Sequence, residues 1–121
     1  MIEINNLTNF AVDKKFLTGV AKKVLKGENK ETHALSLAFI TKPEMQELNK
    51  KHRGKNEPTD VLSFEGINEI VICPEMVKEK GEDIMKVFTH GILHLLGYDH
   101  ERSEKNAEEM EEKENFYLNK T

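Results

Sequence analysis

There is one cysteine in 121 residues, so no intrachain disulfide can staple this chain. A lone thiol, Cys73, suits a reducing compartment. No apolar run approaches the roughly 20 residues that a helix needs to cross a bilayer. The opening segment, MIEINNLTNF, has no basic stretch followed by an apolar one, so no secretory signal is expected. Together these absences lead us to expect a cytoplasmic protein with no membrane contact; a monomer is also expected. There is also no internal repeat, low-complexity tract or Gly/Ser linker, and the length suits one domain over residues 1–121. Such a domain can sustain a core without staples. Charged residues make up 33% and hydrophobic residues 37%, a globular balance.

An excess of positive charge is lacking too: the net charge is −4, which argues against broad nucleic-acid binding. The distribution softens that. Residues 1–60 carry 11 Lys and Arg against 8 Asp and Glu, whereas residues 61–121 carry 7 against 14. A local basic face in the first half can still meet phosphate, because fields act locally under salt screening. Charge alone favours an ordinary mixed surface.

The chain reads as strand, helix, strand, helix, two strands, then helices. Residues 2–7 suit a strand. Asp13 suits a helix N-cap, followed by Phe16, Leu17, Val20, Val24 and Leu25 at helical spacing up to Gly27. Residues 33–41 suit a strand buried on at least one face. Thr41 with Glu44 forms a capping box, with Pro43 in the first turn of a short helix that runs to about His52. Residues 60–64 and 69–73 read as two strands around a turn. A short helix after Pro74, a helix over residues 82–96 ended by Gly97, and a charged helix over residues 103–118 complete the chain. In the last helix Met110, Phe116 and Leu118 are available for packing. The expected fold class is α+β: one small mixed sheet, at least one antiparallel pair, and helices packed on it, one of them a zincin-like metal-binding helix.

The informative segment is His90-Gly-Ile-Leu-His94-Leu-Leu-Gly97-Tyr-Asp-His100. Two histidines four apart on a helix share a face, where two imidazoles grip one ion. A turn at Gly97 brings His100 back over that face. Three imidazoles with one open position is the arrangement of a catalytic zinc site. Imidazole also suits other divalent transition metals, so the pattern fixes metal binding better than metal identity. The spacing matches that of metzincin proteases, which place a glutamate directly after the first histidine as general base. Here that position is Gly91, which takes no proton and costs about 1 kcal/mol of helix stability relative to alanine.

These residues resemble the signature of the YbeY family of bacterial rRNA-maturation endoribonucleases. A second block agrees with that family: Leu48-Asn49, Arg53-Gly54, and Pro58 to Phe64 read as PTDVLSF. The two blocks anchor the resemblance over roughly residues 45–100. It implies one zinc ion on His90, His94 and His100, and Arg53 as the functional arginine beside the metal. It implies cleavage of single-stranded RNA in 16S rRNA 3′-end maturation and ribosome quality control. The ribosomal small subunit and an assembly GTPase are the partners it implies. One departure is Asn68-Glu69, where the family often has Gly-Asp.

The remaining polar residues take plainer readings. Asp60 is expected to brace its loop, and Tyr98 to pack. Asp99 suits either a turn or an acceptor for an imidazole. His33 and His52 fall outside the triad. The last helix reads as a solvated acidic face with pairs such as Glu109–Lys113. Two other functions compete with the ribonuclease: a metallopeptidase-like zinc hydrolase, which Gly91 disfavours, and a non-enzymatic assembly factor whose metal holds the fold.

Overall fold

A computed structural model describes the backbone of residues 1–98 and 104–119, with side chains through Leu118. Four strands, β1 (Ile2–Asn6), β2 (Leu35–Phe39), β3 (Val61–Phe64) and β4 (Glu69–Ile72), form one sheet in the order β1-β2-β4-β3. β1 and β4 each pair parallel with β2, while β3 pairs antiparallel with β4. The sheet is therefore mixed, and the fold class is α+β as expected. The β3–β4 connection is one 3₁₀ turn, Glu65–Ile67, closed by Asn68 at φ 50°.

Five helices accompany the sheet: α1 (Lys14–Gly27), α2 (Lys42–Arg53), α3 (Pro74–Glu79), α4 (Ile84–Leu95) and α5 (Glu104–Asn119). Asp13 caps α1 by accepting from Phe16 N, and the Thr41–Glu44 capping box opens α2. The start of α4 lies slightly later than the periodicity suggests, because the Asp83 side chain caps it by accepting from Met85 N.

The sheet has two covered faces. On one, Leu35, Leu37, Phe39, Ile70 and Ile72 pack with Leu17 and Val24 of α1, Phe88 and Ile92 of α4, and Met110 and Tyr117 of α5. On the other, Leu62, Val71 and Cys73 pack with Met45 of α2. Each large side chain fully buried in this way is worth about 1.5–3 kcal/mol of transfer free energy. Two aromatic residues depart from the expected core: Phe16 and Phe116 are 56% and 52% exposed. Ala21 and Tyr117 are buried instead, while Leu17, Val24, Leu25 and Met110 face inward as expected.

Helix α4 lies closely over β4. A Cβ built on Gly91 would sit 3.2 Å from Cδ1 of Ile70, so glycine here admits the helix to the sheet. Any side chain at position 91 would start out against β4.

Candidate metal centre and cleft

His90 and His94 lie one turn apart on α4, and both rings are about one-third exposed. The buried residues Val87, Phe88, Ile92 and Leu93 hold the opposite face of the helix in the core, which turns the two imidazoles outward. Nδ1 of His94 lies 3.2 Å from the carbonyl oxygen of Tyr98. A carbonyl only accepts, so in the neutral ring Nδ1 carries the proton and Nε2 the lone pair. Nδ1 of His90 contacts Oε1 of Glu114 on α5, an acceptor that selects the same tautomer. Metal-ligating histidines characteristically hold one ring nitrogen against an acceptor in this way. The donor set and its supports therefore fit a divalent transition metal held through Nε2. Among the described residues no three His, Cys, Asp or Glu side chains form a metal-binding group. The third expected ligand, His100, lies outside the described residues, as does Asp99.

Arg53 ends α2, and it shares a cleft of about 320 Å³ with His52, Ser63, His90, Gly91 and His94. The structure thus brings together three of the four residues singled out by the sequence. The last turn of α2 carries Lys50, Lys51, His52 and Arg53, a basic group at the negative end of the helix dipole. The loop after Arg53 is pinned from behind. Asn49, 1% exposed, donates to the Glu57 carbonyl at 2.8 Å, and Gln46 reaches Asn56 Oδ1 at 3.2 Å. Asp60 braces the entry to β3: it accepts from Val61 N at 3.0 Å and lies 3.5 Å from Lys80 Nζ. Burial pushes its carboxyl upward, but hydrogen bonding with Glu82 and Thr59 and the charge of Lys80 leave it below its ordinary value.

Several residues at or behind the cleft escaped the sequence reading. His52, set aside there, stacks at a tilt on Phe64 with ring centroids 4.4 Å apart. Exposed Glu65 places Oε1 3.9 Å from His94 Nε2. Glu114 belongs to a helix expected to be solvated, yet it is 5% exposed. Its signal was present: Met110, Glu114 and Tyr117 fall at i, i+4 and i+7, so a glutamate interrupts the buried stripe of α5.

A second carboxylate, half-buried Glu28, follows α1. It accepts from the Tyr98 hydroxyl at 2.7 Å, from the Tyr117 hydroxyl, and from Lys113 Nζ at 3.3 Å. Lys113 therefore reaches across to Glu28, where the sequence suggested Glu109. Tyr98 does more than pack, since its hydroxyl ties to Glu28 and its carbonyl holds His94. Burial raises the Glu28 carboxyl, but hydrogen bonds from Tyr117, Tyr98 and Lys113 outweigh it and leave the group below its ordinary value. Burial and the bond to Glu28 push the Tyr98 phenol up to about 12.

Comparison with known proteins agrees with both sequence blocks. The family model described as Endoribonuclease YbeY matches residues 3–121. A Thermotoga neapolitana protein named Endoribonuclease YbeY is 42% identical over 69% of this chain and 64% of its own length, so the match spans somewhat less than two thirds of that relative. An Aliarcobacter butzleri protein of the same name is 35% identical over 98% of this chain and 94% of its own length. The solution structure of a Thermotoga maritima protein superposes with a TM-score of 0.71 at 34% identity, covering 98% of this chain and 87% of that one. With the family model matching nearly its whole length, this chain belongs to the YbeY family.

Proposed function

We propose that this protein is a metal-dependent endoribonuclease acting on single-stranded RNA, with 16S rRNA 3′-end maturation and ribosome quality control as its setting. The observation that carries this reading is the meeting of Arg53 with His90 and His94 in one cleft. There a guanidinium stands beside two imidazoles whose Nδ1 atoms both meet acceptors. A phosphodiester supplies the reason. Its charge would pair with the arginine, beside the histidines that would hold the ion.

Zinc is the proposed ion, held by His90, His94 and His100. When bound, such an ion supplies Lewis acidity toward water and toward a phosphate oxygen. The protein's own groups do the rest. Arg53, exposed at the cleft, offers a planar fork of donors to two phosphate oxygens and stabilises the charge that grows on them during attack. Lys50, Lys51 and Lys55 stand exposed around it and attract the flanking backbone phosphates. The exposed His52 ring, backed at a tilt by Phe64, offers an aromatic face to a base. Only an unpaired base can use such a face, which favours single strands over duplex. A cytoplasmic location, with the ribosomal small subunit and an assembly GTPase as partners, belongs to the same proposal.

The test is cleavage of a labelled single-stranded RNA by the zinc-loaded protein, with His94→Ala purified in parallel. Cleavage by the wild type and none by the variant is expected. Equal cleavage by both would assign the activity to a contaminant or to a metal-independent site. Absence of cleavage by either would move the protein to a non-enzymatic role in ribosome assembly.

A further inference from the structure

We infer that Glu114 is a positioning residue for the metal centre: its carboxylate accepts a hydrogen bond from Nδ1–H of His90, which fixes the ring's tautomer and aim and presents Nε2 to the ion. This inference rests on the metal-centre reading above, and extends it to a helix that neither sequence block touches.

Three observations carry it. Glu114 is buried, and burying a carboxylate is costly unless it is paired and hydrogen-bonded. It sits on the inward stripe of α5 between Met110 and Tyr117, where an apolar side chain would be the economical choice. Its Oε1 meets the one nitrogen of His90 that must be protonated if Nε2 is to coordinate. His94 receives the equivalent service from a backbone carbonyl, that of Tyr98. His90 has a different need. It lies one turn earlier on α4, away from the helix-ending turn that brings the Tyr98 carbonyl close, so its acceptor comes from a side chain on a neighbouring helix. The chain thus supplies the same chemistry to each ring by the route its position allows.

The pairing makes α5 part of the site. The helix reaches α4 with a carboxylate at Glu114, and one residue earlier, Lys113 ties the same helix to Glu28. Docking of α5 therefore sets both the position of Glu114 and the orientation of His90.

The test measures zinc affinity of the full-length, metal-stripped protein by competition against a chromophoric chelator. Glu114→Leu removes the acceptor but suits the apolar stripe, so the variant folds. It is expected to bind zinc about 10–100-fold more weakly, the usual cost of losing such a support. Glu114→Gln keeps an oxygen acceptor and is expected to recover most of that loss. Leu17→Ala, a core truncation on α1 outside the cleft lining, controls for general loosening and should keep the wild-type affinity. Wild-type affinity in Glu114→Leu, or an equal loss in Leu17→Ala, overturns the inference. A second readout needs no metal: long-range ¹H–¹⁵N spectra of the stripped protein should show His90 protonated on Nδ1 in the wild type and not in Glu114→Leu. If the wild type binds zinc no better than His94→Ala, the metal reading fails. The spectra then decide by themselves whether Glu114 orients the ring: an unchanged tautomer in Glu114→Leu overturns that too.

Discussion

Toward α1 and α5, helix α4 and the turn that follows it meet a corner in which every polar group named here has its partner inside the protein. The Tyr98 and Tyr117 hydroxyls and the Lys113 ammonium converge on Glu28, and Glu114 meets His90. Toward α2 and β3, the same helix faces a cleft of about 320 Å³ rimmed by exposed Arg53 and His52. The corner spends its charges on holding the helix, and the cleft presents its charges outward. Internal support behind and exposed donors in front is what a pre-organised site requires, since a ligand gains most when the groups it meets are already held in place. The histidines belong to both regions, with Nδ1 toward the supports and Nε2 toward the cleft.

The sharpest way to test this division is to damage the cleft alone. His94→Ala removes a proposed ligand and should abolish RNA cleavage. It should also weaken zinc binding by more than the 10–100-fold expected for a supporting residue. Thermal unfolding of the metal-free variant should stay near the wild type, because the ring is about one-third exposed. Arg53→Ala is next in size. We expect kcat on single-stranded RNA to fall about 10²–10³-fold with zinc affinity unchanged, the loss typical of removing a donor to a charged transition state. A fall in zinc affinity in Arg53→Ala would mean that cleft and supports are not separable.

Damage to the corner should give the opposite pattern. Glu28→Gln removes a charge that accepts three hydrogen bonds and should cost about 1.5–3 kcal/mol of stability at neutral pH, read from urea unfolding midpoints. The loss has a pH signature. The folded carboxyl titrates below its ordinary value of 4.5, so its contribution is present above that value and disappears as pH falls through the lowered one. The stability gap between wild type and Glu28→Gln should therefore close on acidification. A gap that stays constant from pH 7 down to pH 3 would show that the charge of Glu28 is not what holds the corner.

Much of this division was legible in the sequence, and the reasons are local. Capping residues such as Asp13 and Thr41 sit within three residues of the groups they satisfy, and the β3–β4 hairpin is closed by one short turn. The spacing of His90 and His94 was legible because one helical turn sets it, and Arg53 because it lies in a block with a recognisable pattern. What was hidden depends on contacts between distant segments. Glu114 looked like one more acid in a solvated helix, since its partner is 24 positions away on α4. Lys113 looked like half of a local pair with Glu109, and it reaches Glu28 just after α1. His52 was set aside because only the packing of α2 beside β3 puts its ring on Phe64.

That stacked pair carries the smallest of the expected effects. His52 is exposed and its ring joins no hydrogen bond or ion pair among the described residues, so His52→Ala should leave stability and zinc affinity near the wild type. If a base stacks there, its removal is worth about 1–3 kcal/mol, which appears as a rise in KM for single-stranded RNA of about 5- to 150-fold. His52→Phe keeps a ring and loses the capacity for charge. Recovery of KM in that variant would assign the effect to stacking. Failure to recover would assign it to attraction of phosphate, and the preference for single strands would then have to come from the shape of the cleft.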